Sequence, residues 1–242
     1  MLIGIMVLAT GCSDYYNEPI DANTPGLWSH YIVWPLSWFL KEVAKIFGGS
    51  YGMSIIISTL LIRLILLPLM IKQTKSSKAM QEIQPEMKKL REKYSSKDQK
   101  TQKKLQEETM KMFQENNVNP MAGCFPIIVQ MPILIAYYQA IRKTPEIAKH
   151  DFLWFSLGQS DYILPIIAAI FTFIQQKLML GRTGNTNPQM AMMTYVMPIM
   201  IAFIGFYLPS ALALYWVVGN LFMIGQIFVI YRDDPSKLKP SK

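Results

Sequence analysis

Apolar residues fall in blocks along this chain, and the charges fall between them. One block runs from Tyr51 to about residue 73; others cover about 119–141, 161–180, 190–208 and 210–230. Each is long enough to cross a bilayer core as a helix. The pattern predicts an all-α, polytopic membrane protein with five transmembrane helices. Between the first two blocks, residues 74–117 are strongly polar. Met80, Ile83, Met87, Leu90 and Tyr94 recur there at alternating steps of three and four. Leu105 and Met112 continue the stripe after the break at Ser95-Ser96-Lys97-Asp98. That spacing predicts a helical hairpin with a narrow apolar seam, in which Pro85 starts or bends a helix.

The N-terminal region has a different texture. Over 28–49, Trp28, Tyr31, Trp34, Trp38 and Phe39 stand among Lys41, Glu42 and Lys45. Aromatic rings favour the headgroup region, so this segment predicts an amphipathic helix in the interface, ending at Gly48-Gly49. Residues 12–27, with Pro19, Pro25 and Gly26, read as an extended tether. Met1 to Ala9 is apolar and leads into Thr10-Gly11-Cys12. Small residues before a cysteine predict a lipoprotein signal over 1–11, with cleavage before a lipidated Cys12. The competing reading is an ordinary buried cysteine. This n-region is short and carries no Lys or Arg.

Charge sets the orientation. Between Lys75 and Lys111 there are eleven Lys or Arg, against seven acids through Glu115. Arg182 lies in the 181–189 loop, and Arg232, Lys237, Lys239 and Lys242 lie in the tail over 231–242. In 142–160, Arg142, Lys143 and Lys149 are balanced by Glu146 and Asp151 with the neighbouring Asp161. The positive-inside rule makes the hairpin, the 181–189 loop and the tail cytoplasmic. Segment 142–160 and the N-terminus are then extracellular, where a lipoprotein cysteine must be.

The formal charge of +8 does not point to DNA, because the basic residues do not flank a soluble core. Two cysteines imply no disulfide framework, and His30 and His150 are far apart. The sequence therefore predicts no metal, no cofactor and no enzyme: it has no phosphate loop and no catalytic set.

The candidate chemistry is a single cation. Arg63 lies in the middle of the first block, which holds no acidic residue. At a span centre it costs about 2.5–3.5 kcal/mol on insertion scales. Lys72 is about 13 Å away in helix rise, so snorkelling to an interface is a long reach. The other blocks supply amides and an indole: Gln130, Gln175, Gln176, Trp216 and Asn220. Amides in spans also serve as plain clasps between helices, worth roughly 0.6–2 kcal/mol each. The methionines at 190, 192, 193, 197 and 200 fit a flexible core or an adaptable sliding surface.

Taken in order, these features resemble the YidC/Oxa-type insertases, and most closely the lipoprotein-type members of Gram-positive bacteria. The resemblance rests on Arg63 after an interfacial helix, the charged hairpin, and Asn119-Pro120 with Phe125-Pro126 and Gln130-Met131-Pro132. It rests also on Pro209-Ser210-Ala211-Leu212-Ala213-Leu214-Tyr215-Trp216 followed by Gly219-Asn220. It covers about 28–230. It implies five helices around a hydrophilic groove that is open to the cytoplasm and lipid and closed outside. Arg63, Gln130, Gln175 or Gln176, Trp216 and Asn220 would line that groove. The implied partners are nascent membrane proteins with short acidic N-terminal tails, the bilayer, and the ribosome and Sec translocon. The implied location is the plasma membrane, with a lipid-anchored extracellular N-terminus and a cytoplasmic C-terminus. The rival reading from the residues alone is a small anion transporter or channel using Arg63.

Overall fold

A computed structural model describes residues 19–95, 98–116, 118, 125–183 and 188–232. Cys12 with its signal segment, Asn119-Pro120, Cys124, much of the 181–189 loop and most of the tail lie outside the described residues.

The described chain is mostly helical. A π-helical turn, Ser29–Val33, leads into α1, Trp34–Ile46. Gly48 and Gly49 end it with φ of 64° and 89°, the left-handed region glycine enters without a Cβ clash. Next come α2 (Tyr51–Glu82), α3 (Gln84–Lys93), α4 (Gln99–Glu115) and α5 (Phe125–Lys143). A short α6 (Pro145–Ala148) precedes an antiparallel pair, β1 (Asp151–Phe152) and β2 (Phe155–Ser156). The chain closes with α7 (Ile163–Thr183), α8 (Pro188–Gly205) and α9 (Ser210–Arg232).

Three described helices are long and apolar enough to cross a membrane, over Tyr51–Gln73, Ile163–Leu180 and Ser210–Val229, and Thr194–Gly205 is a shorter apolar stretch. Large side chains stand exposed on them, including Leu64, Ile65, Ile170, Ile199, Phe203 and Val229. Such a belt suits lipid contact. Of the three spans α9 is the most enclosed, with 44% of its residues buried against 28% for α2 and 22% for α7. It packs between α2 and α7, while α8 packs chiefly on α7.

One feature departs from the reading of the sequence. The all-α expectation misses the small β pair in the 142–160 segment. Leu153 holds φ of 56° in its two-residue turn, and a strand this short carries no readable alternation. The helix that carries the Tyr51–Gln73 span continues unbroken to Glu82. The polar run from Lys72 to Gln81 contains no Gly or Pro. Polarity alone does not stop a helix. Pro68 lies inside α2, where it removes one backbone donor, a loss transmembrane helices tolerate.

Local chemistry sets the helix starts. Asp98 caps α4 by accepting from the Thr101 amide at 2.9 Å. Asp161 accepts from the amides of Ile163 at 2.9 Å and Leu164 at 2.6 Å, which satisfies orphan donors of α7. Pro85 sits in the first turn of α3, where its missing N–H costs nothing. Ile83, Met87 and Met112 form a small buried cluster with Val118, against Ala79 and Phe113. Leu90, Tyr94 and Leu105 are only half-buried.

The main core lies toward the N-terminal ends of α2 and α9 and the C-terminal end of α5, with Leu40, Ile55, Tyr137, Ile141, Ile147, Leu157, Leu212 and Tyr215 essentially fully buried. The 142–160 segment laces this end shut. Ser37 and Thr144 share a hydrogen bond of 2.6 Å, and the Trp28 indole donates to Gln139 Oε1 at 2.8 Å. The Ser210 amide and hydroxyl both donate to the Gln159 carbonyl, at 2.7 and 2.6 Å. Phe152 seats its ring on Gly52, where a Cβ would collide with it. Lys41 pairs with Glu146 at 3.0 Å. Partial burial pushes the Glu146 carboxyl up, but its hydrogen bonds and the Lys41 charge outweigh this and hold it below the usual 4.5. The pair is half-exposed, so it stabilises little.

Candidate functional site

Arg63 stands mid-way along the first span, about 18 Å of helix rise from Tyr51 and about 15 Å from Gln73. Its side chain is half-buried. Nη2 donates to Gln130 Oε1 at 3.3 Å, a long bond. Gln130 Nε2 in turn donates to the Tyr215 hydroxyl at 2.6 Å. The Tyr215 ring lies against that of Tyr137, centroids 4.6 Å apart. Tyr137 donates to Ser58 Oγ at 2.7 Å, and Ser58 donates to the Ile55 carbonyl at 3.0 Å. A circuit of hydrogen bonds and one ring contact thus leaves α2 at Arg63, passes through α5 and α9, and returns to α2 about one and a half turns nearer its N-terminus. Tyr137 and Tyr215 are 0% and 1% exposed, so the site is sealed toward the N-terminal end of α2 by rings as well as by bonds.

On α9 the guanidinium lies against Gly219. A Cβ there would stand 2.7 Å from Nη2 and 3.3 Å from Nε. Only a residue with no side chain lets the charge lie this close to the helix backbone.

A guanidinium has five N–H donors and no acceptor. One is spent on Gln130, which leaves four, and no carboxylate pairs with Arg63 among the described residues. An amide oxygen cannot neutralise the charge. The remaining donors need water or an anion, since unpaired N–H groups in a dry span would be very costly.

The other sequence candidates take different places. Asn220, next to Gly219, faces α7: its Nδ2 donates to Thr172 Oγ1 at 2.7 Å and to the Ala168 carbonyl at 3.4 Å. Thr172 also donates to the Ala168 carbonyl, at 2.7 Å. This is the geometry of a clasp between α7 and α9. Gln175 and Gln176 are half-buried one turn further along α7 and make no hydrogen bond to a described residue. Trp216 is half-buried and packs on the main core. The structure therefore brings Arg63 and Gln130 together directly. Reading the sequence did not single out Ser58, Tyr137 or Gly219 as neighbours of the arginine. The signal was spacing on α5 and α9: Gln130 and Tyr137 are seven apart, and Tyr215 and Gly219 are four apart.

Comparison with known proteins decides what carries this site. Residues 42–237 match the family described as 60Kd inner membrane protein. The chain is 59% identical to "Membrane protein insertase MisCA" of Bacillus subtilis (strain 168) over 238 residues, 98% of this chain and 91% of that one. This chain belongs to the YidC family of membrane protein insertases. A further relative, "Membrane protein insertase YidC 2" of Bacillus anthracis, is 58% identical over 100% of this chain and 94% of its own. Among solved structures, "Active YidC insertase crystal structure with the first transmembrane domain resolved" matches with a TM-score of 0.64 and 29% identity. That match covers 87% of this chain and 48% of the other, so the insertase described here spans about half the length of that solved one. YidC insertases are not enzymes, and this one is a multi-pass protein of the cell membrane.

Proposed function

We propose that this insertase draws nascent membrane proteins into a wet groove around Arg63 and releases their apolar helices sideways into lipid. Five spans, over 51–73, 119–141, 161–180, 190–208 and 210–230, surround the groove. The helix over 28–49 lies in the outer interface, and the 74–117 hairpin projects into the cytoplasm. The observation that carries this reading is the half-buried Arg63 with four of its five donors unspent. A short acidic N-terminal tail supplies the missing anion. The tyrosine pair and the laced 142–160 segment keep the groove from opening outward, so hydration comes from the cytoplasmic side. Gln130 positions the guanidinium, Gln175 and Gln176 add polar lining, and Trp216 and Asn220 stand along the same wall. Since the tail moves through a wet half-membrane, no nucleotide is required. The basic hairpin meets the ribosome, the emerging chain or anionic headgroups, and the groove serves substrates alone or beside the Sec translocon.

The test is complementation of a cell depleted of its own insertase, with cross-linking of an arrested nascent chain to cysteine at position 130. Growth rescue with a cross-link to the acidic tail is the expected result. Rescue with no contact at 130, or a contact only at the lipid-facing Ile65 position, rejects the groove.

Cys12 carries diacylglycerol in this reading and holds the N-terminus at the outer face. The intact mass of membrane-extracted protein is expected to show a chain starting at Cys12 with lipid added. A free thiol on an uncleaved chain rejects it.

A further inference from the structure

Two buried amides, one on α2 and one on α9, keep hydrogen-bonding atoms in reserve. Gln73 is 9% exposed and Gln226 is 7% exposed. Gln73 Nε2 and Gln226 Oε1 are enclosed and have no hydrogen-bond partner among the described residues. The contact of Arg63 with Gly219 fixes where the two helices meet. From Arg63, steps of three, four and three lead through Leu66 and Met70 to Gln73. From Gly219, steps of three and four lead through Phe222 to Gln226. Such spacing keeps residues on one stripe of a helix. Met70 is buried on that stripe as well. Gln73 lies about 15 Å along α2 from Arg63, and Gln226 about 10 Å along α9 from Gly219. The two amides thus stand within about 5 Å of one depth, on the opposite side of Arg63 from the tyrosine pair.

Their chemistry differs from that of the arginine. Asn220 spends its amide on a neighbouring helix; these two do not. The reserve is one amide NH2 group, with two N–H donors, and one carbonyl acceptor. An anion would want donors only, so the acceptor on Gln226 argues against a second carboxylate site. A peptide group wants one of each: its carbonyl accepts and its N–H donates. Peptide backbone is also the polar ligand that every polypeptide substrate shares. The atoms are enclosed here, so the site is closed. Enclosure without partners is unfavourable, and a segment that parts α2 from α9 at this depth relieves it.

We infer that Gln73 and Gln226 form a charge-blind site for the polypeptide backbone on the cytoplasmic side of Arg63, engaged when a substrate segment enters between α2 and α9. This rests on the groove reading above. The test uses the full-length insertase and two substrates that differ only in an acidic or a neutral tail. Gln73→Leu with Gln226→Leu is expected to slow insertion of both about three- to tenfold, the loss of one or two hydrogen bonds. Its melting temperature is expected to hold or rise, because leucine removes the unpartnered atoms. On a Cys124→Ser background, cysteine at 73 or 226 is expected to cross-link to an arrested chain with either tail. Wild-type insertion of both tails by the double variant overturns the proposal, and so does loss of the acidic-tail substrate alone. A lower melting temperature with insertion intact makes the pair a clasp between helices and also overturns it. Arg63→Ala measured alongside separates the two ideas: if it spares acidic tails while the leucine pair slows both, the arginine reading fails and this one stands.

Discussion

Arg63→Ala is expected to slow insertion of substrates with short acidic tails by at least tenfold, and to leave neutral-tailed ones within about twofold. Two unit charges 4 Å apart attract by about 4 kcal/mol at an effective dielectric constant of 20, but only about 1 kcal/mol in bulk water. The proposed wet groove would lie between these limits, so a tenfold effect, about 1.4 kcal/mol, is the lower end of what the charge would supply. Arg63→Lys keeps the charge and is expected to retain much of the activity, since Gln130 takes only one of the five guanidinium donors. Arg63→Glu repels the tail and is expected to be the worst of the three. The measurement is insertion in depleted cells, with each variant at matched abundance. Normal insertion of acidic tails by the alanine variant removes the charge from the mechanism.

Gly219→Leu is expected to approach the Arg63→Ala defect without unfolding the protein, and Gly219→Ala to give about a third of it in free energy. The reason is steric. Even an alanine Cβ would stand 2.7 Å from Nη2, closer than real contacts allow. What must yield is the far end of a flexible side chain, not backbone, so the helix survives and the guanidinium moves. Helix propensity runs the other way, since alanine in a helix interior is favoured over glycine by about 1 kcal/mol. Stability should therefore hold or rise while acidic-tail insertion falls. A merely structural glycine would lose both together. Combining Gly219→Leu with Arg63→Ala is expected to add little to either change alone, because residues in contact are not additive. Full additivity, or a leucine variant with wild-type rates, would separate Gly219 from the arginine.

Much of this protein was legible in one dimension. The long apolar runs specify the spanning helices of α2, α7 and α9, since lipid offers the backbone no other partner and a helix satisfies itself. The charge of Arg63 stood out because it cannot be averaged away in an apolar run. The apolar stripe over 80–112 and the glycines after α1 declared themselves through spacing and residue type. The sequence could not say which way each polar side chain turns. Gln130 and Asn220 look alike as amides in apolar spans, yet one reaches the arginine and the other clasps Thr172 on α7. Their roles depend on the rotation of each helix about its own axis, which is fixed by packing against neighbours far away in sequence. The same holds for Gly219, ordinary on its own helix and distinctive only because α2 brings a guanidinium to it. Hydropathy is a property of single residues summed locally, and so it survives in the sequence. A site made by three helices is a property of their relative rotation and depth, and only the tertiary structure determines those.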